Sequence, residues 1–189
     1  MSATMRVSEN RSVSKATLVT LLRRNAALIQ GVFALLWGVR FAALTGAWEV
    51  PAVVAIASFV ATRNAFVATT PLRARDEFRT SQGRAFLRPV TVVTVVQIVA
   101  SIVLPMFGTV LGRDDLVVPI VAFTIGVFLV FFATPLELPT VRWIGLAYTM
   151  AALGLPLLVT DELLADWVSA VSAVALLASA WCCAAATRS

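Results

Sequence analysis

The sequence predicts an all-α fold: a polytopic transmembrane bundle of six helices with both termini cytoplasmic. Three observations carry this expectation. The 189-residue chain is 60% hydrophobic and only 13% charged, with a mean hydropathy of +0.92, far outside the range of soluble domains. Its apolar residues fall into six runs near 26–44, 50–68, 90–111, 116–134, 141–160 and 165–186, each close to the ~20 residues a helix needs to cross the hydrocarbon core. Lys and Arg are also segregated to one set of connections, as the positive-inside rule requires of cytoplasmic loops. Within lipid a chain must satisfy its own backbone hydrogen bonds, so each run is expected as a helix.

Residues 1–25 precede the six-helix domain, 26–186, as a cytoplasmic tail. The tail begins polar and Ser/Thr-rich, and disorder is expected up to about residue 13. The stretch SKATLVTLLRRN either continues the first helix inward or lies on the membrane surface. The first span is too long for a cleavable signal peptide and five more follow, so it reads as a retained signal-anchor. A Thr45–Gly46 turn leads to the second span, with Pro51 near its first turn. The loop 69–89 contains a charged helical stretch, LRARDEFRT, followed by Gly83 as a break and Pro89 just before the third span. Pro135 and Pro139 bracket the fourth connection, while Pro105 and Pro156 fall inside apolar runs, where kinks are expected.

The charges set the orientation. Arg6, Arg11, Lys15, Arg23 and Arg24 lie in the tail, Arg73, Arg75, Arg79, Arg84 and Arg88 in the loop, and Arg142 and Arg188 at later inner ends. Arg113 alone occupies the other side, where Glu49, Asp114, Asp115, Asp161, Glu162 and Asp166 make the connections acidic. The expected location is a plasma membrane, of the bacterial inner-membrane kind. The net charge of +5 belongs to residues flanking apolar runs, which points to anionic lipid headgroups at the cytoplasmic face and not to nucleic acid. The loop arginines Arg73, Arg75, Arg79, Arg84 and Arg88 are the expected headgroup contacts.

Residues that would carry chemistry are few. There is no histidine, which removes the commonest general base and metal ligand, and no catalytic set, metal site or cofactor is predicted. Every Asp and Glu lies at a predicted helix end or in a loop, which argues against a buried carboxylate carrying protons. Cys182 and Cys183 are adjacent, unsuited to a disulfide framework; they read as small packed residues, with palmitoylation as the alternative.

Two charges do stand inside spans. Arg40 is near the outer end of the first, leaning toward the bilayer centre because helical side chains tilt toward the N-terminus. Glu49, across the turn, is its expected partner. Arg63 raises the same problem at the inner end of the second span, and Gln30, Asn64, Gln97 and Glu137 lie at comparable depth, so a polar cluster of these five is predicted. Gly108 and Gly112 form a GxxxG, and Ser169, Ala173, Ala180 and Ala184 form a small-residue face; both are candidates for close helix packing, within the chain or in a homo-oligomer. Trp37, Trp48, Trp143, Trp167 and Trp181 are expected in interfacial belts.

The stretches QGVFALLWG (30–38) and VPIVAFTIGVFLVFFATPLELPTVRWIGL (118–146) resemble an uncharacterised family of small six-helix bacterial integral membrane proteins. The likeness rests on Gly126, Pro139, Trp143 and Gly145, and extends over about residues 25–186. A histidine often follows the first of these glycines in the family, where this chain has Phe128. The resemblance implies the fold and brings no activity with it.

The expected role is a non-enzymatic integral membrane protein, structural or accessory. The alternative is a small-solute transporter or channel built around Arg63 and Gln97; no three-plus-three sequence repeat supports it.

Overall fold

The computed structural model describes residues 14–70, 72 and 74–188, and of residues 74 and 75 only the backbone. The tail expected to be disordered, Arg73 and the side chain of Arg75 therefore lie outside the described residues. The helices are α1 (Lys15–Thr45), α2 (Glu49–Ala68), α3 (Ala74–Arg79), α4 (Ser81–Val110), α5 (Val117–Leu136), α6 (Pro139–Leu158) and α7 (Asp161–Ala185), with a 3-10 turn at Asp114–Leu116. Six of them are long and apolar enough to cross a membrane, and only the six-residue α3 is not.

The first helix starts well before residue 26. Ser14 caps it by accepting a hydrogen bond from the Thr17 amide at 3.2 Å, and 31 residues span about 46 Å, half as long again as the ~30 Å hydrocarbon core. Leu18, Leu21, Leu22 and Arg24 are buried, so this extension packs on the bundle and does not lie flat on lipid. Gly46, in the left-handed conformation at φ 79°, ends the helix with its amide on the Ala42 carbonyl.

The third span also begins early. Thr80 caps α4 by accepting from the Gly83 amide at 3.0 Å, so Gly83 lies in the first turn instead of breaking the helix. A side chain there would collide with the Glu77 carbonyl, because α3 folds back closely at this elbow. Pro89 lies inside α4; its ring forfeits one hydrogen bond, to Ala85, and the capped helix tolerates it. At the other end the GxxxG dissolves. Val110 is the last helical residue, and Gly112, at φ 69°, closes a Schellman motif in which the Arg113 amide reaches the Gly108 carbonyl at 2.9 Å. Gly112 terminates the helix, and among the described residues a methyl group there would meet nothing within 4 Å.

The bundle is organised around α7. It packs against α1, α2, α6 and, over a smaller area, α5; α5 in turn packs against α6 and α4. The small face of α7 is consumed here: Ser169, Ala173, Ala180 and Ala184 are all buried within the chain. The tightest crossing joins α5 to α6. A methyl group on Gly145 would stand 2.8 Å from the Val130 amide nitrogen, and one on Gly126 would stand 2.5 Å from the Thr149 hydroxyl. Both glycines of the family resemblance thus have a packing role. The fourth helix is the edge of the bundle, covered mainly by α5 and touching α3, with only 11% of its apolar window buried. Trp48, Trp143, Trp167 and Trp181 are exposed, as belt residues are, but Trp37 is buried in the core, on the same α1 face as Ala34 and Gly38.

Polar clasps join the helices pairwise. Ser58 on α2 donates to the Gly31 carbonyl of α1 at 3.1 Å. Tyr148 on α6 donates to Ser172 on α7 at 2.6 Å. Gln97 on α4 donates to Ser101 at 2.9 Å, which shares a 2.8 Å hydrogen bond with Thr124 on α5. Each such bond in a membrane contributes on the order of 0.6 kcal/mol, so the clasps fix register while apolar packing supplies the bulk of the cohesion.

Candidate functional site

The densest polar constellation lies where α1 begins and α2, α5 and α7 end. A helix ends with carbonyls that lack intrahelical donors and carries about half a negative charge there. Three such ends converge on adjacent arginines of the α1 extension. The Arg23 guanidinium donates through Nε to the Leu136 carbonyl at 2.8 Å, through one terminal nitrogen to the Ala186 carbonyl at 3.0 Å, and through the other to the Glu137 carbonyl at 3.4 Å. One planar fork so joins the last turns of α5 and α7 to α1. Arg24 serves α2: it lies 4.6 Å from the centroid of the Phe66 ring and reaches the Thr69 hydroxyl and the Leu72 carbonyl, each at 3.5 Å.

The connection between α5 and α6 completes the hub. Glu137 occupies the left-handed region at φ 54°, a conformation that favours glycine and costs a side-chain-bearing residue about 1 kcal/mol or more. Its carboxylate pairs with Lys15 at 2.5 Å. The hydrogen bond from Lys15, and next the charge of that ammonium, hold the Glu137 carboxyl below the ordinary carboxylate range. Arg142, in the first turn of α6, donates to Thr134 at 3.0 Å. The start of α1 and the ends of α5 and α7 therefore share one end of the bundle, as an even number of crossings requires.

Arginine stays protonated and only donates hydrogen bonds, so Arg23 and Arg24 act here by organising helix ends. Among the described residues, no group of three or more His, Cys, Asp or Glu side chains is placed to hold a metal ion.

The five residues predicted to cluster lie apart, and three of them, Gln30, Gln97 and Glu137, take separate partners. Gln30 is buried between α1 and α7, its carbonyl oxygen 3.6 Å from the Cys183 thiol. Gln97 belongs to the clasp between α4 and α5, and Glu137 to the hub. Asn64 is half-buried and borders a groove of about 430 Å³ with Val67, Ala68, Thr187 and Arg188. Arg63 is exposed. The buried face of α2 is Val54, Ser58, Ala61 and Ala65, and a residue two positions from Ala61 and Ala65 points about 200° away from them. Among the described residues no hydrogen bond or ion pair joins these five side chains to one another.

The outer pair is not formed either. Among the described residues the ion pairs are Lys15–Glu137 and Arg113–Asp115; Arg40 and Glu49 are both exposed and belong to neither. The reason is again angular. The second helix seats Val54 and Pro51 on Gly38, and Arg40 is two residues, about 200°, around α1 from that contact. At this end the Asp115 carboxylate, 2.8 Å away, raises the pKa of Arg113 by hydrogen bonding and then by its charge.

Compared with known proteins, the chain matches no family model, no curated protein and no solved structure. Its own residues are then the basis for a role. Of the loop arginines expected at headgroups, Arg79, Arg84 and Arg88 are exposed. Sequence reasoning missed Arg23 and Arg24 as hub residues, counting them only as tail charges. The signal was present in the Ser14 cap and in an RR pair two to three turns inside a continuous helix, but the partners of Arg23 are backbone carbonyls, which no residue type announces.

Proposed function

We propose that the chain is a non-enzymatic integral membrane protein, structural or accessory in role, embedded in a plasma membrane of the bacterial inner-membrane kind with both termini in the cytoplasm. The observation that carries the reading is the commitment of the half-buried Arg23 to three carbonyls at two helix ends, which employs its guanidinium as a clamp. The orientation follows from the basic residues of that end, which the positive-inside rule assigns to the cytoplasm. Anionic headgroups are the partners expected for the exposed Arg79, Arg84 and Arg88. A reporter fused after Ser189 should read cytoplasmic; a periplasmic signal overturns the orientation.

One observation favours the transport alternative, and it moves that reading from Arg63 and Gln97 to the contact between α1 and α7. Among the described residues the Gln30 amide nitrogen and the Ser179 hydroxyl are buried without a hydrogen-bond partner, although such groups are ordinarily paired. If they are packing defects, Ser179→Ala leaves stability unchanged or slightly raised, because an unsatisfied hydroxyl is removed. A loss of more than about 1 kcal/mol would mean that a water or polar solute bridges them, and solute flux into proteoliposomes then becomes the deciding measurement.

A further inference from the structure

Among the described residues α4 is the least buried of the six long helices. It carries a groove of about 530 Å³ lined by Arg84, Arg88, Thr91, Val92, Val95 and Val96. Arg84 and Arg88 are one turn apart and both exposed, and among the described residues neither takes part in an ion pair. Two like charges at this spacing repel one another, and a single anion between them would relieve the repulsion. Beneath them the groove is apolar. From Arg88 to Val96 is eight residues, about 12 Å along the helix, close to the ~15 Å of one hydrocarbon leaflet. Thr91 lies at the change from charged to apolar lining.

We propose that this groove binds one anionic phospholipid of the leaflet on the Arg84 side, its phosphate between Arg84 and Arg88 and an acyl chain along Val92, Val95 and Val96. The proposal rests on the membrane reading of the chain. Charge selects the class of lipid. A zwitterionic choline headgroup would bring a quaternary ammonium to two unneutralised guanidinium groups, whereas phosphatidylglycerol offers a net negative charge and phosphate oxygens that suit the arginine fork. A second copy of the chain is disfavoured at this face. Two copies in the same membrane orientation would be related by an axis along the membrane normal, and a symmetric contact through α4 would set Arg84 and Arg88 against their own images.

The test is native mass spectrometry of the full chain released from nanodiscs of equal phosphatidylglycerol and phosphatidylcholine. The wild type should retain one phosphatidylglycerol after partial delipidation, with a preference that falls about tenfold or more in the double variant Arg84→Gln/Arg88→Gln, the change expected for two basic groups near a headgroup. Arg63→Gln, an exposed arginine of α2 outside the groove, should retain the lipid as the wild type does, and Arg84→Lys/Arg88→Lys should keep part of the preference. Unchanged helicity by circular dichroism shows that loss of lipid is not loss of fold. Equal retention of the two lipids by the wild type, undiminished retention by the double glutamine variant, or a lipid-free dimer would overturn the proposal. Release of the chain from membranes by alkaline carbonate without detergent would sink the membrane reading itself, which separates the two failures.

Discussion

Replacing Arg23 by methionine should destabilise the protein far more than the same change at its neighbour Arg24. Arg23 makes two short charge-assisted hydrogen bonds, at 2.8 and 3.0 Å, and a third at 3.4 Å that is exposed. Charge-assisted bonds contribute about 1.5–3 kcal/mol each, so the two short ones are together worth about 3–6 kcal/mol before screening. The side chain is only half-buried, and water replaces part of what is lost; a net cost of about 2–4 kcal/mol is expected. Arg24 reaches its oxygens only at 3.5 Å, the weak limit of such geometry, and its contact with Phe66 adds about 0.5–1 kcal/mol, so Arg24→Met should cost about 1 kcal/mol. Arg23→Lys should recover roughly half the loss, because a point charge cannot hold two carbonyls in one plane. Reversible unfolding in mixed micelles gives the free energies. The rate of thiol labelling of the buried Cys183, in a Cys182→Ser background, reports whether α1 and α7 separate. An Arg24→Met loss equal to or larger than that of Arg23→Met would refute the assignment of Arg23 as the clamp, as would unchanged Cys183 labelling in Arg23→Met.

Further outcomes follow from the same geometry. Gly145→Ala forces a methyl against backbone atoms of α5 at 2.8–3.0 Å and should cost about 1–3 kcal/mol by overpacking. Gly38→Ala meets only Val54 and Pro51 at ordinary contact distance and should be neutral or stabilising by up to about 1 kcal/mol from helix propensity; unfolding measurements should rank the two in that order. The Glu137 carboxyl has a lowered pKa in the folded state, so its contribution is complete above the ordinary carboxylate pKa, about 4.3, and is lost as pH falls through the lowered folded value. The stability difference between wild type and Glu137→Gln should thus hold constant from neutral pH down to about pH 5 and vanish in stronger acid; a difference that grows on acidification would contradict the Lys15 pairing. Removing the charges of Arg40 and Glu49 singly and together should give additive changes within about 0.3 kcal/mol, and a larger coupling would mean that the two meet after all.

Much of the fold was legible because lipid imposes strict rules on a chain. Six apolar runs of spanning length, punctuated by Gly46, Pro139 and acidic turns, correspond one to one with the six long helices. Errors fell at the ends, where apolar length no longer decides. The first and third spans run inward by about ten residues more than their apolar cores, because Ser14 and Thr80 offer caps upstream of the arginines. A basic residue in a helix extension looks, in one dimension, the same as a basic residue in a loop. The candidate site was less legible for the same reason. Arg40 and Arg63 drew attention as charges in apolar surroundings, yet each projects from the side of its helix opposite the packed face.

By itself the sequence determined the helical class, the number of spans and the segregation of charge, since each follows from local composition against a fixed bilayer thickness. Which side chains meet was decided only by tertiary structure. The approach of Gly126 to Thr149, the separation of Gln30, Gln97 and Glu137 from the exposed Arg63, and the gathering of two helix ends by Arg23 depend on the angle at which each helix faces its neighbours. That angle is set by small residues packed together across the whole bundle, and no single segment encodes it.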